Sequence, residues 1–189
     1  RVYTAPDKPP LEDAVILIRD GVIEKLGSRH STAIPDDYEV FDWAGFTLTA
    51  GFWNSHVHLV TPTYLRAELA SDEEIQGELE RTFTRWGFTT VFDLASTTEV
   101  AAEIAGRLAG GRIVGPRVLS VREPFYPEAA TPIYARPFYE AFDLPSAEVA
   151  TAVEAADRAR RQLREGAEGV KLFAGSIVGG EDDVAIMPP

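Results

Sequence analysis

Three histidines occur in 189 residues, and two of them, His56 and His58, stand two apart in the stretch GFWNSHVHLV, residues 51–60. Side chains two apart on a strand project to the same side, so a strand here aims both imidazoles at a common point. Neutral imidazole is the commonest ligand for zinc and its neighbours, which makes one reading of the pair a metal site. The other is two histidines at a surface or a core edge, and the spacing leaves both open. Lys171, in the apolar run GVKLFAG, is the second residue out of place. An ammonium on a doubly buried parallel strand is costly to desolvate, so the amine either reaches past the strand end to a carboxylate or becomes neutral. A neutral lysine open to carbon dioxide becomes a carbamate, an anionic bidentate group able to bridge two metal ions. Composition does not decide between these.

The elements that must position these side chains follow from periodicity. AVILIRDGVIEKLGS reads as two strands joined at Asp20-Gly21, a dipeptide suited to a two-residue hairpin turn. YEVFDWAGFTLTAGF gives Val40, a turn at Gly45 and an apolar strand leading into the histidine motif. Ser71 with Glu74 forms a capping-box pattern, and Ile75, Leu79, Phe83 and Trp86 follow at helical spacing, predicting a helix over 71–86. GFTTVFDLAS is a strand, Val100, Ile104 and Leu108 mark a helix ending at Gly110-Gly111, and PRVLSV is a third strand. Residues 122–145 carry five prolines and read as a long connection without helix or central strand, of a length that is usually functional. Ser146 is expected to cap a helix running to Gly166, and GVKLFAG is a fourth strand. The closing EDDVAIMPP leads towards another helix. Alternating strands and helices require parallel pairing through crossovers. The choice is between an open doubly wound sheet and part of a (β/α)8 barrel. Histidines, in place of a glycine-rich phosphate loop, follow the first buried strand, which favours the barrel. Four units do not close one, so the chain reads as the front half of something longer.

Composition bounds the function. With 45% hydrophobic and 25% charged residues the chain is an ordinary globular sequence, and its length suits one substantial domain with a small appendage. A net charge of −12 without any basic cluster argues against nucleic acid; Arg158, Arg160, Arg161 and Arg164 are interleaved with acids on a helix. No run approaches the ~18 apolar residues of a membrane span. No signal-peptide pattern opens the chain at Arg1, and the absence of cysteine suits either redox compartment. The compartment stays open: the cytoplasm is slightly favoured, with secretion kept if an upstream signal has been removed.

Three segments carry a resemblance. LTAGFWNSHVHL resembles the first-strand motif of the amidohydrolase superfamily, in which a Gly-Phe pair leads into HxH. WGFTTVFDLAS is similar to the second-strand segment of its prolidase-like and imidazolonepropionase-like branch, and GAEGVKLFAGS to the fourth-strand segment that carries the carbamylated lysine of two-metal members. The resemblance spans nearly the whole chain. It implies an α/β fold in which residues 1–47 are part of a small N-terminal β-sandwich and 48–189 are the first four βα units of a (β/α)8 TIM barrel. His56 and His58 would bind the more buried metal, and Lys171 would bridge it to a second. Two histidines and an aspartate from later strands would complete the site, supplied by the missing remainder of the barrel or by another polypeptide. His30, in the N-terminal β region, is expected at the surface. Asn54 stands where many members have Asp and would orient a ligand by hydrogen bonding. Asp93 is a similar candidate, or else a turn or capping carboxylate. Arg122 and Tyr126 follow the third strand and are candidates to face substrate.

The activity this implies is metal-dependent hydrolysis of amide or peptide C–N bonds, as in a dipeptidase or an N-acyl amino acid hydrolase. Two divalent ions, expected to be zinc, would acidify a water and polarise the scissile carbonyl, with an aspartate outside these residues as general base. The expected partners are a small amide or dipeptide and a second copy of the chain in a homo-oligomer, with neither nucleic acid nor membrane. The rival readings are a one-metal deaminase or cyclic-amide hydrolase, and a barrel without metal that serves as a binding module.

Overall fold

The computed structural model describes residues 1–180 and 182–188. It divides into two compact units, Arg1–Gly51 and Phe52–Pro189, whereas the sequence places the boundary after residue 47. In the first unit, β1 (Ala14–Arg19) and β2 (Val22–Ser28) pair antiparallel with an irregularity between Leu17 and Ile18. The turn between them holds Asp20 and Gly21 at φ of 51° and 75°, the left-handed region that this dipeptide tolerates. Val2 bridges to both Leu11 and Leu48. After the Gly45 turn the expected apolar strand is reduced, up to Gly51, to a single bridge at Leu48. Phe46 N–H turns back to the Trp43 carbonyl, at 3.0 Å, and Phe41, Trp43 and Phe46 remain exposed.

The second unit contains a parallel sheet in chain order: β3 (Phe52–Val57), β4 (Phe88–Asp93) and β5 (Arg117–Ser120). The short helix α1 (Pro62–Leu65) and the longer α2 (Asp72–Thr82) connect β3 to β4. The capping box forms as expected, with Ser71 Oγ accepting from Glu74 N–H at 3.2 Å and Glu74 accepting from Ser71 N–H at 2.7 Å. Ile75 and Leu79 are fully buried beside Leu59, Tyr64, Val91 and Ile104. The helix ends at Thr82, however, and a 3-10 turn over Thr84–Trp86 breaks its phase. Trp86 therefore lies outside the core, 62% exposed, with its Nε1–H on the Arg81 carbonyl. α3 (Thr98–Ala109) connects β4 to β5. Its buried Arg107 donates to the carbonyls of Ala67 and Ala70 and pairs with Asp72 and Glu103. A buried guanidinium surrounded by acceptors in this way ties the α1–α2 loop to α3.

The proline-rich connection differs from its expectation. It contains β6 (Tyr126–Pro127) and α4 (Arg136–Ala141). Pro137 sits in the first turn of α4, where the missing N–H has no intrahelical partner to lose. β7 (Glu148–Val149) pairs with β6 and delays the next helix. α5 (Ala152–Arg164) is capped by Thr151, whose Oγ1 accepts from Glu154 N–H at 3.2 Å; Ser146 Oγ instead accepts from Glu148 N–H. The fourth expected strand is an extended segment without regular strand pairing. Glu168 N–H reaches the Ser120 carbonyl, Phe125 N–H reaches Lys171, and Phe173 N–H reaches Phe125, each at 2.9 Å. β8 (Gly175–Ile177) and β9 (Val184–Ile186) form an antiparallel pair where the sequence suggests an approach to a helix; Glu181 and Pro189 of that stretch lie outside the described residues. Among the described residues no helix is long and apolar enough to cross a membrane.

Glu123, in the connection after β5, joins two of these elements. Its carboxylate accepts from Thr98 N–H (2.8 Å), Thr98 Oγ1 (3.0 Å) and Gln162 Nε2 (3.1 Å), linking the start of α3 to α5. Burial pushes its pKa up, but these hydrogen bonds outweigh burial and hold it below the ordinary 4.5, as a helix N-terminus favours. Its contribution to stability is therefore complete above pH 4.5 and fades as the pH falls through the folded value. Glu123→Gln is expected to lose about 1 kcal/mol at neutral pH, a difference that narrows towards pH 3. Urea unfolding of both proteins at several pH values measures it.

Candidate metal centre

His56 lies on β3, and His58 follows one residue past its end. Their rings stand side by side, centroids 5.2 Å apart and planes 66° apart, as the period-two spacing requires. Asn54 Oδ1 accepts from His56 N–H at 3.1 Å, within a stretch where the β3–β4 register slips. Asn54 thus fixes the backbone that carries the first imidazole.

His58 is held from the neighbouring strand. The carbonyl of Val57 accepts from Leu94 N–H at 2.9 Å, Leu59 N–H donates to Asp93 Oδ1 at 3.2 Å, and the Ala95 backbone lies beside the His58 ring. Loss of hydration lowers the pKa of His58, and the nearby His56 and the Lys171 ammonium lower it further, while Asp93 and the Ala95 backbone oppose them. The net direction favours the neutral ring, the form that binds metals.

Asp93 closes β4 and is fully buried. Its carboxylate accepts from Leu59 N–H, Ala95 N–H (3.4 Å), Ser96 Oγ and Ser120 Oγ (2.7 Å). Burial raises its pKa against the pull of these four donors. The sequence singles out Asp93 but misses its partners Ser96 and Ser120. The signal available is local: a carboxylate followed two and three residues later by an N–H and a hydroxyl is a turn pattern.

Lys171 is half-buried on the extended segment beside β5. Its Nζ lies 5.0 Å from the centre of the Phe173 ring, and its charge reaches His58. Gly169 lets this segment approach, since a Cβ there would meet the Phe92 ring at 3.1 Å and Val121 at 3.4 Å. His56, His58, Asp93 and Lys171 therefore gather at the carboxyl ends of the parallel strands, where α/β sheets place their chemistry.

Arg122 and Tyr126, the candidates to face substrate, are both buried. Arg122 is buried at a φ of 64°, and its guanidinium donates to the Glu165 carbonyl at the end of α5, at 2.7 Å. Tyr126 is buried against Phe173 and Tyr139, with ring centroids 4.7 Å and 6.1 Å away. Arg122 is thus tied to the end of α5 and Tyr126 to an aromatic cluster. His30 is exposed in the N-terminal unit, with Nε2 3.8 Å from Asp13.

As a donor set, two adjacent imidazoles, with His58 biased towards its neutral form, fit a divalent ion. Among the described residues no group of three or more His, Asp or Glu surrounds one point, so a metal held here would need further ligands from outside this set. A protonated Lys171 repels a cation, and the set takes it in only as a deprotonated or carbamylated group.

No protein-family profile matches the sequence, and no curated protein matches it either. Solved structures do match. An ochratoxinase from A. niger is 24% identical, with 94% of this chain covering 46% of that one at a TM-score of 0.60. An amidohydrolase is 23% identical, over 93% and 45%, at 0.69. A Xaa-Pro dipeptidase with methionine bound in its active site is 19% identical, over 86% and 42%, at 0.64. The fold is thus the one found in part of these amidohydrolases, and the chain spans less than half the length of each.

Gly169→Val should cost about 1–3 kcal/mol by overpacking against Phe92, measured as a lower thermal midpoint. The segment carrying Lys171 should exchange its amide hydrogens faster. An unchanged midpoint would remove the close approach as the device that places Lys171.

Proposed function

We propose that these residues form the first half of a (β/α)8 barrel in a metal-dependent hydrolase of amide or peptide C–N bonds. The observation that carries this reading is the His56–His58 pair at the end of the first parallel strand, with Lys171 close enough to bias His58. The sheet keeps chain order from β3 to β5 without reversal, which suits a closing barrel better than a doubly wound sheet. The solved relatives include a dipeptidase, so the substrate class we assign is a dipeptide or an N-acyl amino acid.

In this reading His56 and His58 would hold a divalent ion as neutral imidazoles. The unprotonated Lys171 amine would add to carbon dioxide, forming an N–C bond and releasing one proton, and the resulting carbamate would supply anionic oxygens as further metal ligands. When bound, the divalent ions, zinc by ligand type, lower the pKa of water towards neutrality and polarise the scissile carbonyl. Asn54 keeps His56 in place. The general base is not assigned among these residues, because Asp93 is fully buried and its acceptors are occupied.

One observation favours a second reading. Lys171 Nζ over the Phe173 ring is a contact suited to an ammonium, as in a one-metal deaminase or cyclic-amide hydrolase with an uncarbamylated lysine. Metal analysis of the full-length protein, purified without chelator, separates the two: about two ions per chain supports the bridged centre, one supports the alternative, and none sinks both. Lys171→Ala should abolish amide hydrolysis, with partial recovery when a short carboxylic acid is added. Full activity in that variant would exclude the bridging role.

A further inference from the structure

The most heavily bonded polar group near the histidines is one that touches neither ring. Asp93 has no solvent exposure, so its carboxylate gains nothing from water and depends on its four donors. An ionised carboxylate only accepts hydrogen bonds, and two N–H groups and two hydroxyls converge on this one. Two of the four are not generic core contacts. Leu59 N–H belongs to the residue directly after His58, and Ala95 N–H belongs to the residue whose backbone lies beside the His58 ring. On the other side of His58, Val57 is pinned by Leu94, the residue next to Asp93. One carboxylate and its neighbour thus clamp the chain before His58, the chain after it and the backbone that lies beside its ring. Ser120 extends the clamp to β5: its hydroxyl donates to Asp93 and accepts from Arg122 N–H at 2.8 Å.

We propose that Asp93 is a positioning residue that fixes the rotamer and tautomer of His58 through Leu59 and Ala95, and thereby the strength with which this centre binds its first metal ion. The second half of the statement rests on the assignment of His58 as a ligand; the first half stands without it. Outer partners that orient a ligating histidine are worth about 10–100-fold in metal affinity.

The test has two readouts on the full-length protein. Nitrogen-15 NMR of the metal-free protein reports the His58 tautomer, and titration with cobalt(II) reports affinity and coordination through its absorption spectrum. Asp93→Ala should give a mixed tautomer and a cobalt affinity about 10–100-fold weaker. Asp93→Asn keeps Oδ1 for the two N–H groups and faces its amide to hydroxyls that turn to accept, so it should restore a single tautomer and an affinity within about threefold of wild type. Glu123→Gln, which loosens α3 and α5 without touching the clamp, is the control for general destabilisation. An Asp93→Ala protein with wild-type tautomer and affinity overturns the proposal. So does an Asn variant as weak as the Ala variant, or an equal loss in Glu123→Gln. If Asp93→Ala does not fold, Ser120→Ala must shift both readouts in the same direction, and no shift in either overturns the proposal. A wild type that binds no cobalt or zinc defeats the metal reading alone, since the tautomer measurement still decides the positioning role.

Discussion

A buried carboxylate with four donors around it is the constraint on which the geometry of this sheet end depends. Asp93 sits where β4 meets the ends of both neighbouring strands, and its hydrogen bonds run to the second residue past β3, to its own turn and to the last residue of β5. An apolar residue in its place would leave two N–H groups unpaired in the interior, a cost of about 1–3 kcal/mol each. A carboxylate satisfies them at the expense of its own hydration, which is why its pKa rises despite the donors. The arrangement fixes the strand ends relative to one another more firmly than apolar packing, because hydrogen bonds are directional where dispersion contacts are not.

What local periodicity encodes was readable before the fold was known. The hairpin at Asp20-Gly21, the capping box at Ser71 and Glu74, and the shared face of His56 and His58 each rest on neighbours within four residues. The errors came where tertiary context overrides a local rule. Pro137 forbids a helix interior but not a first turn, so α4 forms inside a stretch read as irregular. Trp86 keeps helical spacing in sequence, yet the helix stops at Thr82 and a tighter turn rotates it outward. Ser146 and Thr151 are equally good caps, and the β6–β7 pairing selects the later one.

The candidate site divides along the same line. His56, His58 and Lys171 were legible because imidazole pairs and a lysine in an apolar strand are rare enough to stand out. Arg122 and Tyr126 were chosen only for following the third strand. A residue there can face solvent or fold back, and both fold back: the positive φ of Arg122 turns it under α5, and an aromatic cluster holds Tyr126. Ser96 and Ser120 were invisible because a serine becomes informative only when a buried acid is known to stand beside it.

The charges around His58 also bear on the two readings of Lys171. As an ammonium over the Phe173 ring, Lys171 adds a positive charge that lowers the basicity of His58, and a less basic imidazole is a weaker metal ligand as well as a weaker proton acceptor. Carbamylation replaces that positive charge with a negative one, so the same position then strengthens His58 as a donor and attracts the cation. The aromatic face reverses its role too, since the ring quadrupole that attracts an ammonium repels an anion. A carbamate must therefore leave the Phe173 face for another partner. Asp93, already committed to four donors, holds His58 in the same place through either state. The bridging centre and the lone ammonium thus call for different positions of one side chain, while both use the same fixed imidazole.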